Sequence, residues 1–332
     1  MKIALVLNPF NEENLQLAAQ LGVDEIVYYD MNGMPPSVEA ILAVRGRVEK
    51  HGLKLSVIEG GPRMDQIVLA KAGRDTQIEE FKRALGAMGQ AGVHTLCYNF
   101  MPWSLRVART SYAAAERGGA LTSEFNFSNF DNRKLTPDGT TSPEQMWENL
   151  EYFLRRVVPA AEAAEVNLAL HPDDPPLTPM RGLARIFGNV EAFERLIALV
   201  PSPANGITFC QGCFAEMGAD IPAAIRRLGH RIHFVHFRDI RGTAGHFHES
   251  FHDNGNTDMA AAMRTYQEIG FKGPMRPDHV PLLVGEEGQY LDNYSGSGDL
   301  SRIGPATGYS MKGRLFAVGY MRGLMHAIQS VR

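Results

Sequence analysis

Side chains that bind divalent metals recur in the second half of the chain, each at the end of a short apolar segment. His171 ends LALH, Cys210 ends ITFC, His236 ends HFVH and Asp278 ends MRPD. A thiolate, two imidazoles and a carboxylate form a donor set that suits Mn²⁺, Fe²⁺, Co²⁺ or Zn²⁺, and ligand softness alone does not choose among these ions. The pattern predicts one divalent-metal site, provided that the four segments end at a common edge of the fold.

Two details of this set allow alternatives. His233 and His236 are three residues apart, which in a strand directs their side chains to opposite faces, so only the one nearer the C-terminal end, His236, is predicted to bind the metal. Cys210 and Cys213 form a C-x-x-C, which also occurs in redox pairs and zinc knuckles. Because the chain has three cysteines and no second C-x-x-C, the redox interpretation is the weaker alternative.

Ionisable residues beside the predicted ligands are candidates for proton transfer and substrate contact. His279 follows the carboxylate ligand directly, and an imidazole that titrates near neutral pH can act there as an acid or a base. The alternative is a histidine that only supports the metal ligands. The stretch from His246 to Asp253 is dense in ionisable groups, and it either lines a substrate pocket or forms a solvated loop.

The elements that carry these residues alternate between short strands and helices. The predicted strands are Lys2–Asn8, Glu25–Tyr29, Lys54–Glu59, Thr95–Met101, Asn167–His171, Gly206–Cys210, Ile232–Arg238 and Met275–His279, and the predicted helices are Ser37–His51, Gln77–Ala91, Pro143–Ala164, Glu191–Leu199, Asp258–Ile269 and about 312–329. Such alternation indicates parallel pairing. Eight units favour a closed (β/α)8 TIM barrel over a doubly wound sheet, which gives the same alternation. The strand ends of a barrel meet at one rim, which would bring the four ligands together.

Two polar segments interrupt the alternation. Residues 106–142 follow the fourth predicted strand and residues 280–308 follow the eighth, and both are rich in turn-forming residues. We predict that both are long loops over the C-terminal face of the barrel, where active sites are built. Since no internal repeat or interdomain linker is evident, residues 1–332 are predicted to form a single domain.

Composition excludes several classes of function. A net charge of −4 and the lack of a basic cluster argue against a nucleic-acid partner. The apolar run in MKIALVLNPF is too short to span a membrane and is not followed by a signal cleavage site, so we expect a cytoplasmic protein with no membrane partner. Three cysteines cannot form a disulfide framework.

A series of motifs extends over nearly the whole chain and resembles one known family. In order, GLKLSVIEG, LCYNFMP, HPDDPP, TFC-x-G, RIHFVHFR, FHE-x-x-H, MRPDH and GYS-x-x-GRL resemble the D-mannonate dehydratases of hexuronate degradation. The resemblance implies a xylose-isomerase-like barrel. It also implies the Mn²⁺-dependent dehydration of D-mannonate, a small sugar acid, to 2-keto-3-deoxy-D-gluconate.

The resemblance also assigns roles to individual residues. It implies that the four residues named at the outset hold the metal, with Mn²⁺ the expected ion, and that His279 and Tyr309 (in GYS) are the acid/base pair, without deciding which is the acid. Arg238 carries a planar guanidinium that can bind two carboxylate oxygens, and we predict that it contacts the substrate together with His248 and Asn99. Enzymes of this kind are usually homo-oligomers, and we expect the same here.

Departures from the family pattern leave other functions open. The chain has RPDHV where the family has RPDHG, it has WSLRVARTS after NFMP, and a long connection separates His279 from Tyr309. One alternative is a related barrel lyase that acts on another polyhydroxy acid or an oxidised glycoside. A second is a sugar isomerase or epimerase of the same superfamily, although these more often use two glutamates with Asp and His around the metal. A third is an inactive barrel that only binds a ligand.

Overall fold

Eight parallel strands form a closed barrel in the computed structural model, which describes residues 1–29, 34–102, 105, 107–286 and 308–329. The barrel strands are β1 (Lys2–Val6), β2 (Glu25–Tyr29), β3 (Lys54–Glu59), β4 (Thr95–Asn99), β7 (Asn167–His171), β8 (Asn205–Cys210), β9 (Ile232–His236) and β12 (Pro274–Arg276). They pair in the order β1-β12-β9-β8-β7-β4-β3-β2, and β2 closes the ring on β1. The predicted TIM barrel is confirmed, although several strands are shorter than predicted.

Helices surround the barrel. They are α1 (Glu12–Gln20), α2 (Val38–Glu49), α3 (Asp65–Val68), α4 (Arg74–Gln90), α5 (Pro143–Ala163), α6 (Val190–Leu199), α7 (Gln211–Glu216), α8 (Ile221–Leu228), α9 (Met259–Glu268) and α10 (Met311–Gln329). Most begin at a side chain that accepts a hydrogen bond from the first turn, such as Ser142 before α5 and Asn189 before α6. The six helices named from the sequence are present within three residues of the expected bounds, and α1, α3, α7 and α8 are additional helices. Within the described ranges, no helix is long and apolar enough to cross a bilayer.

A second, antiparallel sheet lies outside the barrel. It contains β5 (Ser111–Ala115), β6 (Leu121–Asn126), β10 (Ile240–Thr243) and β11 (His246–Glu249), in the order β10-β11-β6-β5. The prediction that residues 106–142 form a loop is therefore wrong over β5 and β6. Strands β6 and β11 are about 120 residues apart in the chain. Pairing between such distant segments cannot be recognised from the sequence of either segment alone. In the other predicted loop, residues 287–307 lie outside the described residues, so that prediction stays untested.

Strand register brings the chemically important ends of the barrel strands to one height. Asn99 pairs with His171, Cys210 pairs with His236, and His236 pairs with Arg276. Below this level the barrel is filled mainly by small side chains such as Ala4, Val57 and Ala169. The C-terminal rim of the barrel is thus the place where polar side chains converge.

Candidate metal centre and active site

Three of the predicted ligands face one another across neighbouring strands. His171, Cys210 and His236 end β7, β8 and β9, and one ligand atom from each lies within 4.8 Å of the other two. Asp278 follows β12, and its Oδ2 lies 3.5 Å from His236 Nδ1 and 3.8 Å from Cys210 Sγ. The structure therefore brings all four predicted ligands together, whereas His233 lies outside the cluster.

The two histidines have ring nitrogens available for a metal. His171 Nδ1 lies 2.7 Å from the carbonyl oxygen of Pro172. Since a carbonyl can only accept, Nδ1 carries the proton and Nε2 keeps its lone pair. Neither ring nitrogen of the buried His236 has a hydrogen-bond partner within the part of the chain that the structure describes. A buried polar atom without a hydrogen-bond partner destabilises the folded protein, and a bound cation would supply the missing partner.

Cys210 lies in an environment that favours the thiolate. Burial opposes its ionisation, but a hydrogen bond from Cys213 and the charges of Arg238 and His171 hold the pKa of Cys210 well below its usual range. The Nε of Arg238 donates to Cys210 Sγ at 3.3 Å. Burial and the neighbouring thiolate raise the pKa of Cys213, which therefore stays a thiol. Both cysteines are free, as a metal ligand and its hydrogen-bond donor would be.

Asp278 is held as a carboxylate in an unusual backbone conformation. Its φ of 60° lies in the left-handed region, which aspartate tolerates better than most residues. Arg276 Nη2 lies 2.7 Å from Oδ1, and Arg238 Nε lies 3.1 Å from Oδ2. Burial raises the pKa of Asp278, but Arg276, His279 and His236 outweigh it and hold that pKa well below its usual range. Together with the imidazoles of His171 and His236 and the Cys210 thiolate, this carboxylate forms a donor set that fits a divalent metal.

A small cleft with a volume of about 60 Å³ opens beside this donor set. Asn99, His279 and Tyr309, all predicted from the sequence as site residues, line it together with Glu59 and Arg276. The His279 and Tyr309 rings meet edge to face, with centroids 5.3 Å apart. The two proposed proton-transfer groups therefore share one wall of the cleft.

Arg238 and His248 are not among the described residues that line the cleft. Arg238 is fully buried, and its guanidinium pairs with protein groups rather than facing the cleft. His248 lies in β11, where its Nε2 is 3.3 Å from Glu116 Oε2. Their predicted contact with substrate stays untested, but this placement favours another role for both.

Sequence reasoning missed several charged residues of the site. Glu59 ends β3, and Arg276 ends β12, so the strand-end argument that found the ligands could also have found these two. Arg276 Nη2 lies 2.6 Å from Glu59 Oε1, and Glu59 Oε2 lies 3.5 Å from His236 Nε2. Burial opposes ionisation, but Arg276 and His236 lower the pKa of Glu59 to about 2. Glu249 reaches the site from the antiparallel sheet, and from the sequence it is one of several ionisable residues between His246 and Asp253 that nothing sets apart.

Similarity to known proteins agrees with this geometry. The chain matches the D-mannonate dehydratase (UxuA) family over residues 11–140 and 135–332. It is 33% identical to mannonate dehydratase 2 of Halalkalibacterium halodurans, with 95% of this chain and 94% of that protein covered, and 34% identical to mannonate dehydratase of Thermotoga maritima, with 89% and 87% covered.

Solved structures give the same relationship. A mannonate dehydratase from Streptococcus suis serotype 2 superimposes with a TM-score of 0.84 at 30% identity, covering 98% of this chain and 93% of that one. A D-psicose 3-epimerase superimposes with a TM-score of 0.63 at 13% identity, covering 98% and 99%, which indicates a shared fold alone. The chain belongs to the D-mannonate dehydratase family.

Proposed function

We propose that the protein is a metal-dependent hydro-lyase that converts D-mannonate to 2-keto-3-deoxy-D-gluconate and water. The observation that carries the proposal is the convergence of the four proposed metal ligands beside a cleft that His279 and Tyr309 line, in a chain of this family. A metal site alone would fit many reactions. The acid/base pair beside it supports an elimination that needs two proton transfers.

His171, Cys210, His236 and Asp278 would hold the metal, for which we propose Mn²⁺, with Fe²⁺, Co²⁺ or Zn²⁺ as other ions that the donor set accepts. The bound ion would stabilise the negative charge that develops when the carbon next to a carboxylate loses a proton. Arg238 would support this set by keeping Cys210 and Asp278 ionised, since its Nε lies within 3.3 Å of both.

We assign the base to His279 and the acid to Tyr309. Glu249 Oε1 lies 2.9 Å from His279 Nδ1, and a carboxylate can only accept, so Nδ1 carries the proton and Nε2 is the basic nitrogen. Burial raises the pKa of Tyr309 above its ordinary value, which keeps its hydroxyl protonated. His279 would remove the C2 proton, Tyr309 would protonate the C3 hydroxyl as it leaves as water, and the resulting enol would tautomerise to the 2-keto acid.

Substrate positioning falls to groups that face the cleft. Asn99 lines it at the end of β4, and Arg276 lines it at the end of β12. A guanidinium beside the metal set can bind the substrate carboxylate or an adjacent hydroxyl. We therefore propose Asn99 and Arg276 as substrate contacts. The cytoplasmic location and the homo-oligomeric state stay predictions.

The test is a substrate panel run on one preparation whose metal content is also measured. The Mn²⁺-loaded protein is incubated with D-mannonate, other aldonates and oxidised glycosides, and 2-keto-3-deoxy acids are assayed. D-mannonate should give the highest kcat/KM. Turnover of another acid with none of D-mannonate would favour the related lyase, and no turnover of any compound by metal-replete protein would favour a binding protein.

A further inference from the structure

Glu249 belongs to the antiparallel sheet rather than to the barrel, yet its carboxylate reaches the proposed base. It ends β11 and is buried, and its Oε1 lies 2.9 Å from His279 Nδ1. We infer that Glu249 is a positioning residue for His279, fixing the orientation and the tautomer of the imidazole for proton transfer. This inference rests on the proposed dehydration and adds a residue that acts without touching the substrate.

Two arginines neutralise Glu249 and fix its carboxylate. Arg109 Nη2 lies 2.8 Å from Oε1, and Arg238 Nη1 pairs with the same oxygen. Burial opposes ionisation, but Arg238, His279 and Arg109 lower the pKa of Glu249. A carboxylate that already has two cationic partners does not need a histidine for its own stability. The third contact is therefore best explained by its effect on His279.

His279 is held on two sides. Glu249 binds Nδ1, and the ring of Tyr309 packs edge to face against the imidazole, whereas Asp278 Oδ1, 3.7 Å from Nε2, is too distant for a hydrogen bond. Without Glu249, no hydrogen bond to Nδ1 from the described residues would select the tautomer. Orienting carboxylates of this kind matter to catalysis because the neutral imidazole has two tautomers and only one presents its lone pair at Nε2.

The antiparallel sheet supplies the rigidity that this contact requires. Glu249 pairs with Ile240 across β10 and β11, and its carbonyl oxygen accepts a hydrogen bond from Thr122 Oγ1 of β6 at 2.9 Å. Both neighbouring strands thus fix the backbone at Glu249. The segments that follow β4 and β9 form this sheet, and the sheet places the Glu249 side chain in the active site.

The kinetic test compares Glu249→Gln with Glu216→Gln. Glu216 is the control for the contact with Arg238, since it is also buried and its Oε1 lies 3.1 Å from Arg238 Nη2, although burial and the neighbouring Asp174 raise its pKa, so that the glutamine there removes less charge. Glu249→Gln should lower kcat on D-mannonate about 10–100-fold, as for other residues that orient a functional histidine, with KM within about threefold and metal content unchanged. Glu216→Gln should lower kcat at least tenfold less. Because the two residues act together, Glu249→Gln should add little to the loss caused by His279→Asn.

Several outcomes would overturn the inference. Equal losses in the two glutamine variants would reduce Glu249 to a structural partner of Arg238. A loss of kcat that is explained by a lower metal content would place the role of Glu249 at the metal site. Full additivity with His279→Asn would show that Glu249 and His279 act independently.

A spectroscopic measurement tests the contact without any turnover. In the diamagnetic zinc-loaded protein, the proton NMR spectrum should contain a downfield Nδ1–H resonance that is absent from His279→Asn. This resonance should persist in Glu216→Gln and move upfield in Glu249→Gln, because the charge-assisted hydrogen bond is lost. An unchanged resonance in Glu249→Gln would refute the inference. If wild type does not convert D-mannonate, the proposed function fails, and this spectrum still decides whether Glu249 holds His279.

Discussion

Replacement of Arg238 by methionine is expected to destabilise the fold and weaken the metal site together. The side chain is fully buried, so its guanidinium has exchanged water for protein partners. Methionine has a similar length and no charge, and therefore removes the cation with little change in volume. The groups that lose this partner lie within 3.3 Å of the guanidinium nitrogens and are Asp174, Cys210, Cys213, Glu216, Glu249 and Asp278.

The expected magnitude follows from removing one partner of a buried ionic network. Such changes cost about 3–5 kcal/mol because uncompensated charges stay buried. With an unfolding entropy of about 2.1 cal/mol/K per residue over 332 residues, this loss corresponds to a fall in Tm of about 4–7 °C. The exposed Arg227 provides a control. It pairs with Glu191 and Glu194 while 44% of its side chain is exposed to solvent, which screens these charges, so Arg227→Met should lower the stability little.

Urea denaturation of the metal-free proteins, followed by circular dichroism, measures the stability change without a contribution from metal binding. Calorimetric titration with Mn²⁺ then gives the affinity of each variant that folds. Arg238→Met should unfold at a clearly lower urea concentration than Arg227→Met and bind Mn²⁺ more weakly than wild type. A urea midpoint equal to that of wild type would refute the reasoning, because it would mean that the buried carboxylates and the thiolate do not depend on this cation.

Further expectations concern the base, the thiolate ligand, the pH and the metal. His279→Asn should keep its metal, and its kcat should be about 10²–10⁴-fold lower than that of wild type. A nearly normal rate would exclude His279 as the base. Cys210→Ala should bind metal far more weakly, and unchanged stoichiometry in dialysis would remove it from the ligand set. Burial raises the pKa of Asp174, but Arg109 and Arg238 lower it from 3.8 to about 2. Its stabilising effect is therefore present above about pH 4 and lost as the pH falls towards 2, so Asp174→Asn should show a flatter decline of the urea midpoint in this range. A chelator should abolish turnover and Mn²⁺ should restore it, and persistent activity in metal-free protein would contradict the proposed chemistry.

The barrel and the metal ligands could be predicted because their signals are local. Apolar segments in alternation with helices indicate parallel strands, and the end of each strand is visible where polar residues begin, as at His171 and Cys210. One topological rule then places these ends at a common rim. The same rule applies to Glu59 at the end of β3, although in the sequence this residue stands out only as part of the motif GLKLSVIEG.

The antiparallel sheet and the residues that it delivers could not be predicted, because they depend on pairing between distant segments. In HFHE the choice between His248 and Glu249 depends on which face of a strand turns inward. Phe247 and Glu249 are buried, and His248 lies on the other face. Similarly, the sequence offers a guanidinium at Arg238 but does not reveal that buried carboxylates from four other segments already surround it.

The most direct test of the central claim is a titration of the metal-free protein with Mn²⁺ while 2-keto-3-deoxy-D-gluconate formation from D-mannonate is followed. The proposal predicts no product without metal and a rate that rises in proportion to bound Mn²⁺ until about one ion per chain is bound. The same titration of His279→Asn should reach the same occupancy with little product. Absence of product from wild type at full occupancy, or product formation independent of metal, would contradict it.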